Sequence, residues 1–158
     1  MEIISKNGGR KAVQINSLRE YFNTGVFESH YRFKREFPRC EFSRGRVLNL
    51  KIYPVMDTDD CDRETLEMYK SRKLFQDSPF ADHIVPIYNT PNLDSVLIAS
   101  GYNIDTGKKC ESYEDAFPVR SRNRDSFNKL VRSIPEDGRI TNIHVLLEHC
   151  LKERYREK

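Results

Sequence analysis

The stretch "VLNLKIYPVMDTDD", residues 47–60, constrains this chain more than any other. Apolar residues run almost without break from Val47 to Met56, and Asp57, Asp59 and Asp60 follow at once. Such a run predicts a strand over 46–56 whose far half is covered on both faces, as in a parallel sheet. Pro54 opposes a central position, because proline removes a ladder donor. An edge or a bulge is expected there.

The neighbouring segments extend that reading. "DRETLEMYKSRKLF", 62–75, predicts a helix capped by Asp62, with acids in the first turn and bases in the last, and Leu66, Tyr69, Lys73 and Leu74 on one face. "HIVPIY", 83–88, reads as a second strand. In "TPNLDSVLIASG", 90–101, Thr90 is the expected N-cap, Pro91 the first helical residue and Gly101 the stop. Strand, helix, strand, helix favours a parallel sheet with a right-handed crossover. Upstream, "RKAVQI", 10–15, suggests a short strand and Ser17 a cap for "LREYF". "FESHYRFKREF", 27–37, places Phe27, Tyr31, Phe33 and Phe37 at helical spacing before Pro38. Downstream, 102–122 reads as loop with a helical piece at "SYEDAF". An amphipathic helix follows over 124–134, with Phe127, Leu130, Val131 and Ile134 on its apolar face. A last helix opens at Thr141, with Ile143, Leu146, Leu147, Cys150 and Leu151 inward. The fold class is α/β in a single domain, its C-terminal part helical.

At 158 residues and 37% hydrophobic content, one core is within reach. The net charge of +3 is too mild to mark a nucleic-acid binder, but its distribution is uneven. Residues 30–51 carry Arg32, Lys34, Arg35, Arg39, Arg44, Arg46 and Lys51 against Glu36 and Glu41. Residues 57–67 carry six acids against Arg63. Residues 118–133 turn basic again through Arg120, Arg122, Arg124, Lys129 and Arg132. No stretch nears the ~20 apolar residues of a membrane span, and "MEIISKNGG" lacks the pattern of a signal peptide. Cys40, Cys61, Cys110 and Cys150 lie far apart with no CxxC pair, which argues against a zinc site and for reduced thiols in a cytoplasmic protein.

Ligands of open α/β sheets bind outside the carboxyl ends of the strands, where Asp57 falls. In extended backbone Asp57 and Asp59 share a side. Two carboxylates with waters and phosphate oxygens suit Mg²⁺. The competing reading is helix capping, which suffices for Asp60 and Asp62. An EF-hand is excluded, since counting from Asp57 the sixth residue is Asp62, not Gly, and the twelfth is Met68, not Glu. Asp94, just beyond the next strand, is expected on the same rim. His30, His83, His144 and His149 do not form a ligand set, and no phosphate-binding loop or nucleophile elbow is present.

The combination of "YPVMDTDD" with "NTPNLDSVL" resembles the Toprim fold of topoisomerases, primases and related nucleases, and within it the RloB-like and overcoming-lysogenization-defect-like branch. In that group an apolar strand ends in a DxD-type motif and the next strand runs into an Asn-Pro-x-x-Glu-like segment that starts a helix. The resemblance covers about residues 25–100. The usual Gly beside the first-strand Glu is displaced to Gly25, and Asn92-Leu93-Asp94 replaces the typical aromatic-Glu pair. It implies Mg²⁺-dependent cleavage of a nucleic-acid phosphodiester, in a mobile-element or host–virus conflict setting. Asp57 and Asp59 would hold the metal, Glu28 of "GVFESHYRF" would be base or second-site ligand, and Asp94 would assist. Arg32, Lys34, Arg35, Arg44, Arg46, Arg120, Arg122 and Arg124 would hold DNA or RNA. The alternative is a nucleic-acid- or protein-binding module that keeps the fold without the chemistry.

Overall fold

The computed structural model describes residues 19–154 except 49, 60, 106, 109–112, 114–123 and 136, with backbone alone at 124, 126, 127 and 154. The strand expected at 10–15, the cap at Ser17, most of "SYEDAF", Asp60, Cys110, Arg120 and Arg122 lie outside the described residues. The chain is mixed α/β. It divides into two compact units, one drawn from Met1–Pro54 and Asp62–Pro86, the other from Val55–Cys61 and Ile87–Lys158.

The first unit is built on aromatic packing. Helix α1 (His30–Glu36) starts at Ser29, whose Oγ accepts from the Arg32 N–H at 3.2 Å. Phe33 faces inward from it and is 1% exposed. Phe22, Phe27, Phe33 and Phe80 meet at ring separations of 5.0–5.8 Å, and Phe75 joins through Phe22 at 5.3 Å. Offset and edge-on rings at such distances add about 0.5–1.5 kcal/mol per pair beyond area burial. Tyr31, expected on the same inward face, is instead 77% exposed. Phe33 is the buried residue of the observed helix, and the chain before Ser29 is a separate 3-10 turn, Gly25–Phe27, so Phe27 and Tyr31 share no helix face.

Strands β1 (Phe42–Ser43) and β2 (Arg46–Val47) form an antiparallel hairpin closed by Arg44 and Gly45. Both turn residues have positive φ, 47° and 78°, the pattern of a type I′ turn, which favours Asn-Gly. Arginine in the left-handed region costs roughly 1–2 kcal/mol. Helix α2 (Arg63–Lys70) has the expected cap, Asp62 Oδ1 accepting from the Thr65 N–H at 2.9 Å. It is shorter than 62–75, because Arg72 turns left-handed (φ 64°) and Lys73–Phe75 is a 3-10 turn.

The expected strand 46–56 does not form as one piece. Arg46–Val47 pairs back on the hairpin, Ile52 makes one parallel bridge to Ile84, and only Val55–Asp57 continues as a strand. Pro54 accounts for the break. It has no N–H to give, and its carbonyl accepts instead from the hydroxyl of fully buried Tyr69 at 2.7 Å. Two-faced burial fails as well, since Val55 is 52% and Leu48 43% exposed.

In the second unit β3 (Val55–Asp57) and β4 (Ile87–Asn89) pair in parallel, with Asp57 opposite Asn89. The other edge of β4 meets the chain at Thr141 through an antiparallel bridge. Helices α3 (Leu93–Ala99), α4 (Arg124–Ser133) and α5 (Ile143–Arg154) complete the unit. Its core holds Ile87, Val96, Leu97, Leu130, Ile134, Ile143 and Leu147. Leu146, Cys150 and Leu151, expected inward on α5, are only partly covered. No helix among the described residues is long and apolar enough to cross a membrane. Cys40, Cys61 and Cys150 are thiols rather than halves of disulfides.

Tyr69→Phe removes the donor to Pro54 while keeping the ring. The expected loss is about 1 kcal/mol, a fall in Tm of roughly 2–4 °C. An unchanged Tm in a thermal melt would show that this bond does not fix the strand break.

Candidate acidic site

The second unit gathers its carboxylates where the parallel pair ends. Parallel registry sets Asp57 beside Asn89, and the Thr58 N–H extends the pairing to the Asn89 carbonyl at 3.0 Å. The chain then leaves β4 through Thr90 and Pro91. Thr90 is not the cap of the next helix: its hydroxyl meets the Thr58 hydroxyl at 3.1 Å, and its N–H donates to the Ile140 carbonyl at 2.7 Å. Asn92 takes that role, its Oδ1 accepting from the Ser95 N–H at 3.0 Å, and Pro91 lies before the helix. The stop at Gly101 is as expected, with φ 86°.

Two asparagines of this segment reach the aspartates of the other strand. Asn89 Nδ2 donates to Asp57 Oδ1 at 3.2 Å, and Asn92 Nδ2 donates to Asp59 Oδ2 at 3.3 Å. The Leu93 N–H, in the first turn of α3, also donates to Asp57 Oδ1 at 3.0 Å. Asp57 thus satisfies one of the orphan donors of that helix from across the sheet. Asn89 is fully buried, and its own Oδ1 is held by Thr141 Oγ1 at 2.9 Å. That hydroxyl also lies 2.9 Å from the Tyr88 carbonyl and accepts from the Ile143 N–H at 3.1 Å, opening α5. One chain of polar contacts therefore links the start of α5, the centre of β4 and the exit of β3.

Asp94 sits in the first turn of α3, and its Oδ1 accepts from the Tyr113 hydroxyl. Asp57 feels both Asp59 and Asp94 electrostatically. Partial burial holds the Asp57 carboxyl above its ordinary range, the Asn89 and Leu93 bonds pull it back down, and the two like charges raise it further. Its side chain stays open to solvent, so the desolvation is partial. Tyr113 is pushed well above the usual phenol range by burial and by Asp94, so it stays a neutral donor.

Asp57 is therefore within electrostatic reach of Asp59 and Asp94, and all three belong to one unit. Glu28 belongs to the other unit. A 3-10 turn rather than a strand leads into it, and it pairs with Arg32 at 2.7 Å. Lys34, Arg35, Arg44 and Arg46 are exposed in that same unit, and Arg124 begins α4. Sequence reading missed Asn89, Asn92, Tyr113 and Thr141. The asparagine pair had a legible signal in "NTPN", since Asn before and after a chain reversal facing a DxD is spaced to meet it. Tyr113 had none.

The donor chemistry suits a hard divalent cation. Mg²⁺ takes one or two carboxylates and fills its shell with water or phosphate oxygens, and Asp57 and Asp59 supply two. Among the described residues no group of three or more His, Cys, Asp or Glu side chains is placed to hold a metal ion together, so Asp94 does not join Asp57 and Asp59 in a three-carboxylate ligand set. Comparison with protein-family models, with curated proteins and with solved structures gave no match.

The Asp57 shift has a stability consequence. A carboxyl whose folded pKa is raised favours the fold only while protonated, below its unfolded pKa, and that advantage is lost as pH rises through the folded pKa. At pH 7 ionised Asp57 is a net cost. Asp57→Asn keeps the acceptor for Asn89 and Leu93 and removes the charge. Its Tm at pH 7 should exceed wild type by roughly 1–3 °C, and the gap should close as pH falls through the carboxylate range. A variant less stable than wild type at pH 7 would show that the charge stabilises the site.

Proposed function

We propose that the chain carries a small Toprim-like core whose acidic rim performs Mg²⁺-dependent cleavage of a nucleic-acid phosphodiester. The observation that supports this reading is that Asp57, at the carboxyl end of a parallel strand pair, lies within electrostatic reach of both Asp59 and Asp94. A rim of three carboxylates repels a polyanion, so it serves one only with a cation between them. Asp57 and Asp59 would hold that ion. When bound, Mg²⁺ neutralises charge on the phosphoryl oxygens and makes a water more acidic. Asn89 and Asn92 fix the two carboxylates in place, so little rearrangement is needed for binding. Asp94 assists as the third carboxylate, steadied by Tyr113. Water adds at phosphorus, one ester P–O bond breaks, and the departing oxygen takes up a proton. Glu28 has no assigned part, because its charge is engaged by Arg32.

A second reading has its own observation. The Asp57 carboxylate ties down the start of α3, a structural duty that a non-catalytic binding module would also keep. Cleavage assays on DNA and RNA oligonucleotides, with Mg²⁺ or Mn²⁺ and with chelator, separate the two. Wild type should cut one polymer only with metal, and Asp57→Asn and Asp59→Asn should each slow it at least 100-fold, about 3 kcal/mol in barrier. No cutting of either polymer, together with a Tm that Mg²⁺ does not raise, would leave the binding module as the reading.

A further inference from the structure

The first unit carries a cavity of about 290 Å³ lined by His30, Tyr31, Lys34, Phe42, Arg44 and Gly45. It lies between one face of α1 and the β1–β2 hairpin. Its size is near the lower bound of small-ligand clefts, about 300 Å³. No acid is among its lining residues, and two are permanent cations. Tyr31 is exposed over most of its surface although it belongs to an otherwise aromatic-packed segment. Lys34 places its ammonium 5.5 Å from the centre of the Phe42 ring. Tyr31 and Lys34 are three apart, and His30 and Lys34 four apart, so all three share one helix face.

His30 is fixed in orientation. Its Nδ1 accepts from the Val47 N–H at 3.2 Å, so Nε2 carries the proton and donates to the Pro79 carbonyl at 3.1 Å. His30 is thus committed to two backbone groups, and the cavity's charge comes from Lys34 and Arg44.

The hairpin turn supplies an independent observation. A turn of this type is least strained with Asn at its first central position. The chain instead puts Arg44 there, in left-handed backbone, with Gly45 completing the turn where an added Cβ would meet nothing within 4 Å. A glycine free of steric crowding is there for its φ. An arginine beside it is there at the expense of the turn. Strain held at one residue whose side chain lines a cavity points to a binding role for that side chain.

We infer that this cavity binds one nucleotide of a single-stranded nucleic acid, with Tyr31 and Phe42 stacking on a base and Lys34 and Arg44 holding its phosphates. Aromatic faces beside cations are the means by which proteins grip single strands without reading sequence. A duplex, whose bases are stacked internally, cannot use Tyr31 in this way. The inference builds on the nucleic-acid reading above and needs neither the acidic rim nor any metal.

Binding is measured in EDTA, where metal-dependent cutting is off, by fluorescence anisotropy with labelled 12-mers of single-stranded DNA, single-stranded RNA and duplex DNA. Wild type should bind at least one single strand at least tenfold more tightly than the duplex, and the two single-strand arms identify the polymer. Tyr31→Ala should weaken that binding about tenfold, consistent with loss of one base stack. Arg44→Asn should also weaken it, reduce the slope of log K against log salt by about 0.7, and raise Tm by about 2 °C because the turn relaxes. Equal binding by wild type and both variants, or equal binding of duplex and single strand, overturns the inference. So does absence of single-strand binding. Metal-dependent cleavage that persists in either case leaves the acidic-rim reading standing, and single-strand binding without cleavage fails only that reading.

Discussion

Asn89 is the residue on which the second unit turns. A side-chain amide with no solvent exposure costs free energy unless both its ends are bonded. Here Thr141 meets the oxygen and Asp57 meets the nitrogen. The consequences run in both directions along the chain. Thr141, drawn against β4, pairs with its open edge and starts α5. Asp57, held at the far end, is fixed where β3 stops and α3 begins. A two-stranded parallel pair is too small to be stable from its own ladder. This polar chain, with Ile87, Val96, Leu97 and Leu147 packed around it, supplies the missing constraint.

The same arrangement puts like charges near one another at the end of β3. Asp57 is partly desolvated and stands beside two like charges. Capping the first turn of α3 would need one carboxylate, and Asp59 and Asp94 add repulsion without adding a cap to it. The hairpin at Arg44 shows a comparable pattern in the other unit, with local strain accepted where a charged side chain lines a cavity. Two separate features thus depart from what packing alone would choose, one acidic and one basic.

Much of the fold was legible because local chemistry specified it. Asp62 caps α2, Gly101 takes a left-handed φ after α3, and the expected helix over 124–134 forms as Arg124–Ser133, with Leu130 in it and Ile134 just beyond it buried. Helix ends and amphipathic periods are encoded within a few residues. The strand over 46–56 failed because hydrophobicity was read without chain direction. Pro54 interrupts it, and the Arg44–Gly45 turn sends 46–47 back onto 42–43. Thr90-Pro91 carries a helix-start pattern, yet pairing of Thr90 with Ile140 moves the cap to Asn92. Of the site, the acids Asp57, Asp59 and Asp94 stood out in the sequence. Asn89 and Thr141 did not, since their roles depend on a contact across 52 residues.

As proposed above, the carboxylates of Asp57 and Asp59, with Asp94 nearby, bind a divalent cation. Amide NMR spectra recorded through a Mg²⁺ titration test it most directly. Saturable shifts at residues 57–59 and 92–95, absent in Asp57→Asn at the same Mg²⁺ concentrations, are the predicted result. Shifts that are absent, that never saturate, or that persist unchanged in Asp57→Asn would contradict it.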